Sequence, residues 1–347
     1  MIRIKARAPT GRAVVLPTVW GAAAVGYKFG CPLAQQDGLG ARIATSAVFF
    51  AVGTGLMVHV RRTLLRELRL ARRAARAAQN VVLRPLPPRL DGIDVAAAQL
   101  SADRGASVGG DLYEAIATEY GVRVVMGDVR GHGLAALGTV AALLGSFREA
   151  AHDEPELGRV LRRLDRALAR HLRERARAEH PANGAADLGN PVAEEFVTVL
   201  LLEIGRGGEL RALNCGHPWP YLVSGTSVEP LTGDPLPPLG PFPLPAELEV
   251  LSCGRLHPGE SLVLFTDGAE DARDTHGRFF PLPAVLREAV GDQPVPPQTV
   301  LRTLFRALLH HTAGRPTDDV AVLVLRNGRT RGELSCPGTA RPATTRP

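Results

Sequence analysis

Four aspartates stand at the ends of apolar, strand-like segments of this chain, each beside a glycine or another turn residue. They are Asp111 in "VGGDLYE", Asp128 in "MGDVRGHG", Asp267 in "LVLFTDGAED" and Asp318 in "PTDDVAVLVL". A single aspartate in such a place is usually a turn or helix-cap residue. Four of them at strand ends of one domain favour a common functional site. Such a site requires a fold that brings the ends of separate strands together.

The order of the apolar segments predicts the fold class. Six segments have the composition of strands, namely 93–100, 122–129, 196–204, 209–213, 261–265 and 320–326. Helical patterns lie between or after them, at 134–150, 156–175, 284–290 and 298–311. Because strands and helices come in blocks instead of alternating strictly, the sequence favours a layered α+β fold over a doubly wound parallel sheet.

Carboxylates that gather in one place repel one another, and a hard divalent cation bound through oxygen holds them together. Mg²⁺ or Mn²⁺ suits such a site better than zinc, since no His or Cys cluster accompanies the aspartates. Two such ions bind one phosphate and lower the pKa of a water for attack on phosphorus. The neighbouring glycines leave room for this chemistry.

Six motifs follow one another in a recognisable order: "GGDLYE", "GDVRGHG", "FVTVLLLEI", "NCGHPWPYL", "LFTDGAEDAR" and "TDDVAVLVLR". In this order and spacing they resemble the metal-dependent serine/threonine phosphatases of the PPM (protein phosphatase 2C-like) type, with the bacterial SpoIIE/RsbU-like branch as the closest. The resemblance covers about residues 80–326. It implies a four-layer α-β-β-α sandwich for residues 86–326.

The resemblance also implies a set of metal ligands, which are Asp111, Asp128, the Val129 backbone carbonyl, Asp267 and Asp318. Asp128 would bridge two Mn²⁺ or Mg²⁺ ions, and Asp128 and Asp267 would take part in catalysis. Asp318 is preferred over Asp319 because the family's ligand is the first of the two adjacent carboxylates. Water activated by the metals would attack phosphorus, so no protein nucleophile is needed.

Four further residues in these motifs have two interpretations each. His132 could give a proton to the leaving serine or threonine oxygen, or it could make a structural hydrogen bond in its glycine turn. His217 and Asn214 are read as residues that hold their loop rather than as catalytic groups. Cys215 is read as a small buried residue rather than as a nucleophile.

The branch resemblance implies a phosphorylated protein as substrate, specifically an anti-sigma-factor antagonist, and hence an effect on transcription. Two other functions stay open. The chain could be a binding protein that has kept this fold and lost turnover, although its four aspartates argue against that. It could also hydrolyse a nucleotide or another small phosphate ester, although it has no GxxxxGK[ST] loop.

The N-terminal 60 residues read as a membrane anchor. Residues 43–60 contain no formal charge over 18 positions and predict a transmembrane helix, and residues 13–29 predict a second, less apolar one. Basic residues flank both outer ends of the pair, which places the following domain in the cytoplasm and residues 28–42 outside. The alternatives are a signal peptide for residues 13–29 and a buried core helix for residues 43–60.

Residues 61–85 predict a helical linker that ends at a run of prolines. Apolar residues recur there with heptad spacing, at Leu64, Leu68, Ala71, Ala75, Ala78 and Val82. This stripe predicts a homodimer formed through the helix 61–83, and the alternative is an amphipathic helix that lies on the membrane or on its own domain. Residues 327–347 are rich in Pro, Thr and Arg and predict a disordered tail.

The charge of the chain does not indicate nucleic-acid binding. The net charge of +6 comes from the first 76 residues, which hold thirteen Lys or Arg against two acidic residues, so the remainder is net negative. The basic residues lie beside the predicted membrane spans, where anionic lipid headgroups attract them. Four cysteines without a CxxC pair favour a reducing compartment for the bulk of the chain, and neither a zinc ribbon nor a disulfide framework.

Overall fold

A computed structural model describes residues 39–100, 109–131, 133–179, 195–290 and 295–329. The chain forms two compact units, residues 1–74 and residues 75–347.

A single helix, α1 (Leu39–Val82), contains all the described residues of the first unit and ends in the second. The predicted span 43–60 therefore continues into the predicted linker without a break. Several large apolar side chains in this span are exposed, among them Phe50 (77%) and Met57 (74%). The predicted span 13–29 lies outside the described residues.

Two described helical segments are long and apolar enough to cross a membrane by length and composition, Ala47–Glu67 and Leu134–Asp153. The first is entirely unburied, whereas half of the second is buried, and seven of its residues belong to a hydrophobic core. Only the first therefore has the exposed apolar surface that a membrane anchor needs.

Within the described part of the second unit, eleven strands make two antiparallel sheets. The first sheet has the order β1-β2-β11-β10-β7-β8, and the second has the order β3-β4-β5-β6-β9. The strands are β1 (Arg89–Leu90), β2 (Ile93–Leu100), β3 (Asp111–Thr118), β4 (Gly121–Val129), β5 (Val197–Ile204), β6 (Glu209–Cys215), β7 (Tyr221–Ser224), β8 (Ser227–Pro230), β9 (Leu251–Arg255), β10 (Ser261–Phe265) and β11 (Val320–Asn327).

Four further helices cover the outer faces of the sheets: α2 (Leu134–Asp153), α3 (Leu157–Glu179), α4 (Leu282–Ala289) and α5 (Pro297–His311). One core cluster joins α2 and α3 to the second sheet, and another joins α4 and α5 to the first sheet. A third cluster lies between the sheets. The α+β class and the four-layer α-β-β-α sandwich predicted from the sequence are therefore confirmed.

Strand β4 shows why the sequence predicts this arrangement. Every side chain from Gly121 to Gly127 is buried, because helix α2 covers one face of the strand and the first sheet covers the other. A strand that is buried on both faces reads as a continuous apolar run instead of an alternating one. Within β4, the run "VRVVM" is followed by Gly127 and then by Asp128, the next-to-last residue of the strand.

One charged residue interrupts this apolar run. Arg123 is completely buried and donates from Nε and Nη2 to Glu203 Oε2 on the adjacent strand β5, at 2.9 and 2.7 Å. Its remaining donors bind the carbonyls of Ala151, Glu154 and Pro155 at the end of α2. The guanidinium thus joins two strands to the end of a helix whose last carbonyls need hydrogen-bond donors.

The folded domain extends beyond both predicted boundaries. At its N-terminal side, Val82 and Leu83 pack on the core around α2 and α3, and Arg148 donates to the Val82 carbonyl at 2.8 Å. The last position of the heptad stripe therefore packs on its own domain. The side chains of Leu68, Ala71 and Ala75 in that stripe lie outside the described ones.

At the C-terminal side, the domain does not end at residue 326. Arg329 is 7% exposed and donates to the carbonyls of Gly205, Arg206 and Asp91 at 2.7 to 2.9 Å. Residues 327–329 thus belong to the sandwich and not to a disordered tail, because strand β11 needs its last residue for pairing and the arginine fills the space above Gly92. Residues 330–347 lie outside the described part of the chain.

Candidate metal centre

Two of the predicted aspartates face each other across adjacent strands. Asp111 begins β3 and Asp128 stands next to the end of β4, and the antiparallel register pairs them directly. Directly opposed residues of an antiparallel pair have their side chains on the same face. The sheet therefore brings these two carboxylates together although neither strand could do so alone.

Glycines let the backbone come close to these carboxylates. A side chain at Gly110 would overlap the carbonyl oxygen of Val129 and come within 2.8 Å of Asp128 Oδ1. A side chain at Gly109 would likewise overlap the carboxylate of Asp319. The "GGD" motif is thus required by the closeness of the Val129 carbonyl and of the carboxylates to the main chain.

The first sheet supplies the remaining carboxylates. Asp267 begins a short 3-10 helix directly after β10, and Asp318 and Asp319 directly precede β11, which pairs with β10. A side chain at Gly268 would overlap the Asp319 carbonyl oxygen, so this glycine allows the two segments to approach. The same end of both sheets therefore carries all the predicted acidic residues.

The electrostatics agree with this placement. Burial, followed by the negative charges of Asp128, Asp319, Asp267 and Asp318 in that order, raises the pKa of Asp111 well above its ordinary value. Burial and three of the same carboxylates raise the pKa of Asp128 to about 7. Burial and the charge of Asp318 raise the pKa of Asp267. The cluster thus contains more negative charge than its own surroundings stabilise.

The donor set fits a hard divalent cation. Its members are carboxylate oxygens and the Val129 carbonyl, which are the ligands that Mg²⁺ and Mn²⁺ prefer. A cation would relieve the repulsion that raises these pKa values. Among the residues that the structure describes, no three His, Cys, Asp or Glu side chains already stand in positions to hold one ion together.

The adjacent residues Asp318 and Asp319 interact with different carboxylates of the cluster. The Asp319 carboxylate lies against Gly109 and affects Asp111 more than Asp318 does. Asp318 is exposed, affects Asp267 most among the other acidic residues, and accepts the Asp319 backbone N–H at 2.7 Å. Asp319 is thus an acidic residue of the cluster to which the sequence interpretation gave second place.

Two threonine hydroxyls at the cluster were missed by the sequence analysis. Thr266 accepts the backbone N–H of Ala321 at 2.9 Å and donates to Asp111 Oδ2 at 3.4 Å, so it links the first sheet to a carboxylate of the second. Thr198 lies opposite Asp128 in the register of β4 and β5 and accepts its backbone N–H at 3.3 Å. Only the pairing of distant strands reveals either contact.

The motif "NCGHPWP" contains no nucleophile. Asn214 donates to the His217 carbonyl and accepts the His217 N–H, both at 2.8 Å, so the pair holds its loop as the sequence predicts. Burial, followed by the charge of Asp165, raises the pKa of Cys215 to about 12, which keeps its thiol protonated near neutral pH. His132, the predicted proton donor, lies outside the described residues.

Comparison with known proteins places this arrangement in a family. A family model described as Stage II sporulation protein E (SpoIIE) matches residues 118–327. This match covers β4 through β11 and includes Asp128, Asp267 and Asp318. Asp111 lies just before it.

Solved structures share the fold at low sequence identity. The SiaA-PP2C domain of Pseudomonas aeruginosa matches with a TM-score of 0.56 and 20% identity, over 77% of this chain and 98% of that one. The RsbU and RsbW domains of a Mycobacterium tuberculosis protein match with a TM-score of 0.51 and 23% identity, over 68% of this chain and 61% of that one. The phosphatase domain and regulatory fragment of SpoIIE from Bacillus subtilis match with a TM-score of 0.50 and 16% identity, over 67% and 62%.

Proposed function

Because the chain belongs to the SpoIIE family, a branch of the PPM-type metal-dependent serine/threonine phosphatases, we propose that it hydrolyses phosphoserine or phosphothreonine in a protein. The observation that carries this proposal is the gathering of Asp111, Asp128 and Asp267 at one end of the sandwich, with Asp318 and Asp319 beside them. Such a cluster suits phosphate hydrolysis because a phosphate group is itself an oxygen ligand of divalent ions.

Asp111, Asp128, the Val129 carbonyl, Asp267 and Asp318 are the residues that would hold two ions. Bound there, two Mg²⁺ or Mn²⁺ ions supply Lewis acidity and lower the pKa of a water. The chain's own residues hold the ligands in place: glycines keep the Val129 carbonyl and the Asp319 carboxylate close to the main chain, and Thr266 fixes Asp111. His132 is proposed to give a proton to the leaving oxygen.

We further propose that the substrate is a phosphorylated anti-sigma-factor antagonist and that its dephosphorylation changes transcription. Membership of the SpoIIE family supports this, and so does the likeness in fold to a structure that contains RsbU and RsbW domains. The substrate class follows from these relatives and not from a contact in this chain.

The full chain in detergent provides the test of the proposed reaction. Phosphate release from a phosphoserine protein and from nucleoside triphosphates is measured with Mn²⁺, with Mg²⁺ and with a chelator. Metal-dependent release from the phosphoprotein alone supports the proposal. Faster release from nucleotides identifies a small-molecule phosphohydrolase, and metal binding without release from either identifies a binding protein; both outcomes contradict the proposal.

Replacing Gly110 by Ala is expected to reduce metal-dependent phosphate release by about a hundredfold, because the added methyl group displaces the Val129 carbonyl and Asp128 by a fraction of an ångström or more. Initial rates at saturating Mn²⁺ measure the effect. Gly145→Ala is the matched control, since it has open space and lies on helix α2. The control should keep full activity, and its free energy of unfolding should be higher by about 0.5–1 kcal/mol. Equal activity of both variants would show that the close approach of the main chain at Gly110 is not needed for activity.

We also propose that residues 13–29 and 43–60 form a transmembrane hairpin that keeps the phosphatase domain in the cytoplasm. The exposed apolar side chains of the second segment support this, since large apolar surface is costly in water. Cys31 lies in the short loop predicted to face outward. In intact cells, a membrane-impermeant maleimide should label Cys31, and labelling that requires cell lysis would contradict the proposed orientation.

A homodimer through the helix 61–83 is proposed on the heptad stripe of that segment. Leu64 is a stripe position whose side chain is partly exposed, at 38%, so it is available for contact with a second copy. A Leu64→Cys variant should form an intermolecular disulfide under mild oxidation, whereas Arg66→Cys on the opposite side of the helix should not. Equal cross-linking at both positions would contradict a specific seam.

A further inference from the structure

One buried histidine lies behind the candidate metal centre, and its ring has no role in holding its own loop. His217 follows β6 and is 4% exposed. The side chain of Asn214 binds both the N–H and the carbonyl of the His217 backbone. Because these two bonds fix the loop through the main chain, the imidazole is available for other contacts.

The first of these contacts leads to Asp128. His217 Nδ1 lies 3.0 Å from the hydroxyl oxygen of Thr198, and the same hydroxyl accepts the backbone N–H of Asp128. The hydroxyl keeps its proton and a second lone pair for this contact, so it donates to an unprotonated Nδ1 or accepts from a protonated one. Burial lowers the pKa of His217 to about 3, which keeps the ring neutral in either tautomer.

The second contact leads to the other sheet. His217 Nε2 is buried and makes no hydrogen bond within the described part of the chain, and the backbone of Phe265 is close enough to the ring to favour its charged form. Phe265 is the last residue of β10 and stands two residues before Asp267. One imidazole therefore lies between Thr198, which binds the Asp128 backbone, and the end of the strand that Asp267 follows.

We propose that His217 is a positioning residue that, through the Thr198 hydroxyl, holds the backbone of Asp128 in place relative to Asp267 and thereby sets the metal affinity of the site. This inference rests on the proposed function, because it assumes that Asp128 and Asp267 bind the metal ions. Partners that orient metal ligands typically change metal affinity by about 10- to 100-fold when they are removed. The ring itself touches neither the metals nor the substrate.

Binding of Mn²⁺ to the full chain tests the proposal, measured by isothermal titration calorimetry in detergent together with thermal unfolding in a chelator. Thr198→Val removes the hydroxyl at constant shape and should weaken Mn²⁺ binding by about 10- to 100-fold, whereas Thr198→Ser should restore it. Thr312→Val is the matched control. It deletes another buried hydroxyl, which donates to the Leu308 carbonyl at the end of α5.

His217→Phe supplies a second and independent measurement. It should weaken Mn²⁺ binding as much as Thr198→Val does, and the double variant should be no weaker than either single one, because both changes break the same chain of contacts. A residue that merely stabilises the fold would lower the unfolding temperature and leave the affinity of the folded protein unchanged.

The outcomes separate this inference from the proposed function. If the unmodified chain binds no Mn²⁺, the metal site is wrong and this inference falls with it. If the unmodified chain binds Mn²⁺ and Thr198→Val binds it equally well, the positioning role alone is overturned. Additive losses in the double variant would also overturn it, since the two groups would then act separately.

Discussion

Replacing Asp128 by Asn is expected to lower metal-dependent phosphate release by about a thousandfold, which corresponds to the loss of several kcal/mol of metal stabilisation in the transition state. Asp128 stands directly opposite Asp111, and the charges of Asp267, Asp318 and Asp319 all affect it. Asp128 thus interacts with carboxylates of both sheets. Steady-state rates over a range of Mn²⁺ concentrations measure the loss and show whether excess metal restores activity.

The same substitution should stabilise the metal-free protein. At pH 7.5 the folded chain must hold Asp128 ionised although burial and its neighbours raise its pKa to about 7, so the unfolded chain gains relative stability as the pH rises from about 4 to 7. Removing the charge should therefore increase the free energy of unfolding in a chelator by about 2 kcal/mol. Urea unfolding curves at pH 7.5 provide the measurement.

Asp165→Asn is the control for Asp128→Asn. Burial raises the pKa of Asp165 as well, but this residue lies on helix α3 away from the cluster. The control should keep full activity. An Asp128→Asn variant that is both inactive and less stable in a chelator would indicate misfolding, and would contradict the charge repulsion described for the site.

Replacing Arg123 by Met is expected to destabilise the fold by about 3–5 kcal/mol, because it leaves Glu203 buried without its closest cation. The substitution also removes the donors for three carbonyls at the end of helix α2. Such a loss is a large part of the total stability of an ordinary domain. Urea unfolding followed by tryptophan fluorescence measures it.

Arg211→Met provides the matched control. Arg211 pairs with the same carboxylate, Glu203, at 3.2 Å, but its side chain is 57% exposed. Exposed ion pairs contribute about 0–1 kcal/mol, so this variant should unfold close to the unmodified chain. Equal effects of the two substitutions would show that burial of the Arg123 guanidinium is not what makes its pairing important.

The fold class and the principal carboxylates could be predicted from the sequence because local patterns carry that information. Continuous apolar runs mark strands that are buried on both faces, and polar residues that end such runs lie at the ends of those strands. Asp128 and Asp267 satisfy that pattern, whereas Asp111 begins a strand that the apolar runs did not predict. Their proximity could be inferred because turns and helix caps alone do not explain so many aspartates at the strand ends of one domain.

The contacts that support the carboxylates could not be predicted in the same way. Thr198 and Asp128 are 70 residues apart, and Arg123 and Glu203 are 80 apart, so only the strand register brings each pair together. A threonine in an apolar strand is unremarkable by composition, and the sequence does not show which strand it faces. The role of Asp319 was missed for a related reason, since adjacent aspartates are distinguished only by the direction of each side chain.

The pairing of β2 with β11 has a consequence for how the protein is made. Residues 93–100 hydrogen-bond with residues 320–327, so the central part of the first sheet cannot close until residues 320–327 have left the ribosome. Pairing over such a sequence separation is slow and follows the closure of local elements. Asp111 and Asp128 can meet early, but Asp318 arrives last. A chain that ends before β11 therefore cannot bring Asp318 and Asp319 to Asp111 and Asp128.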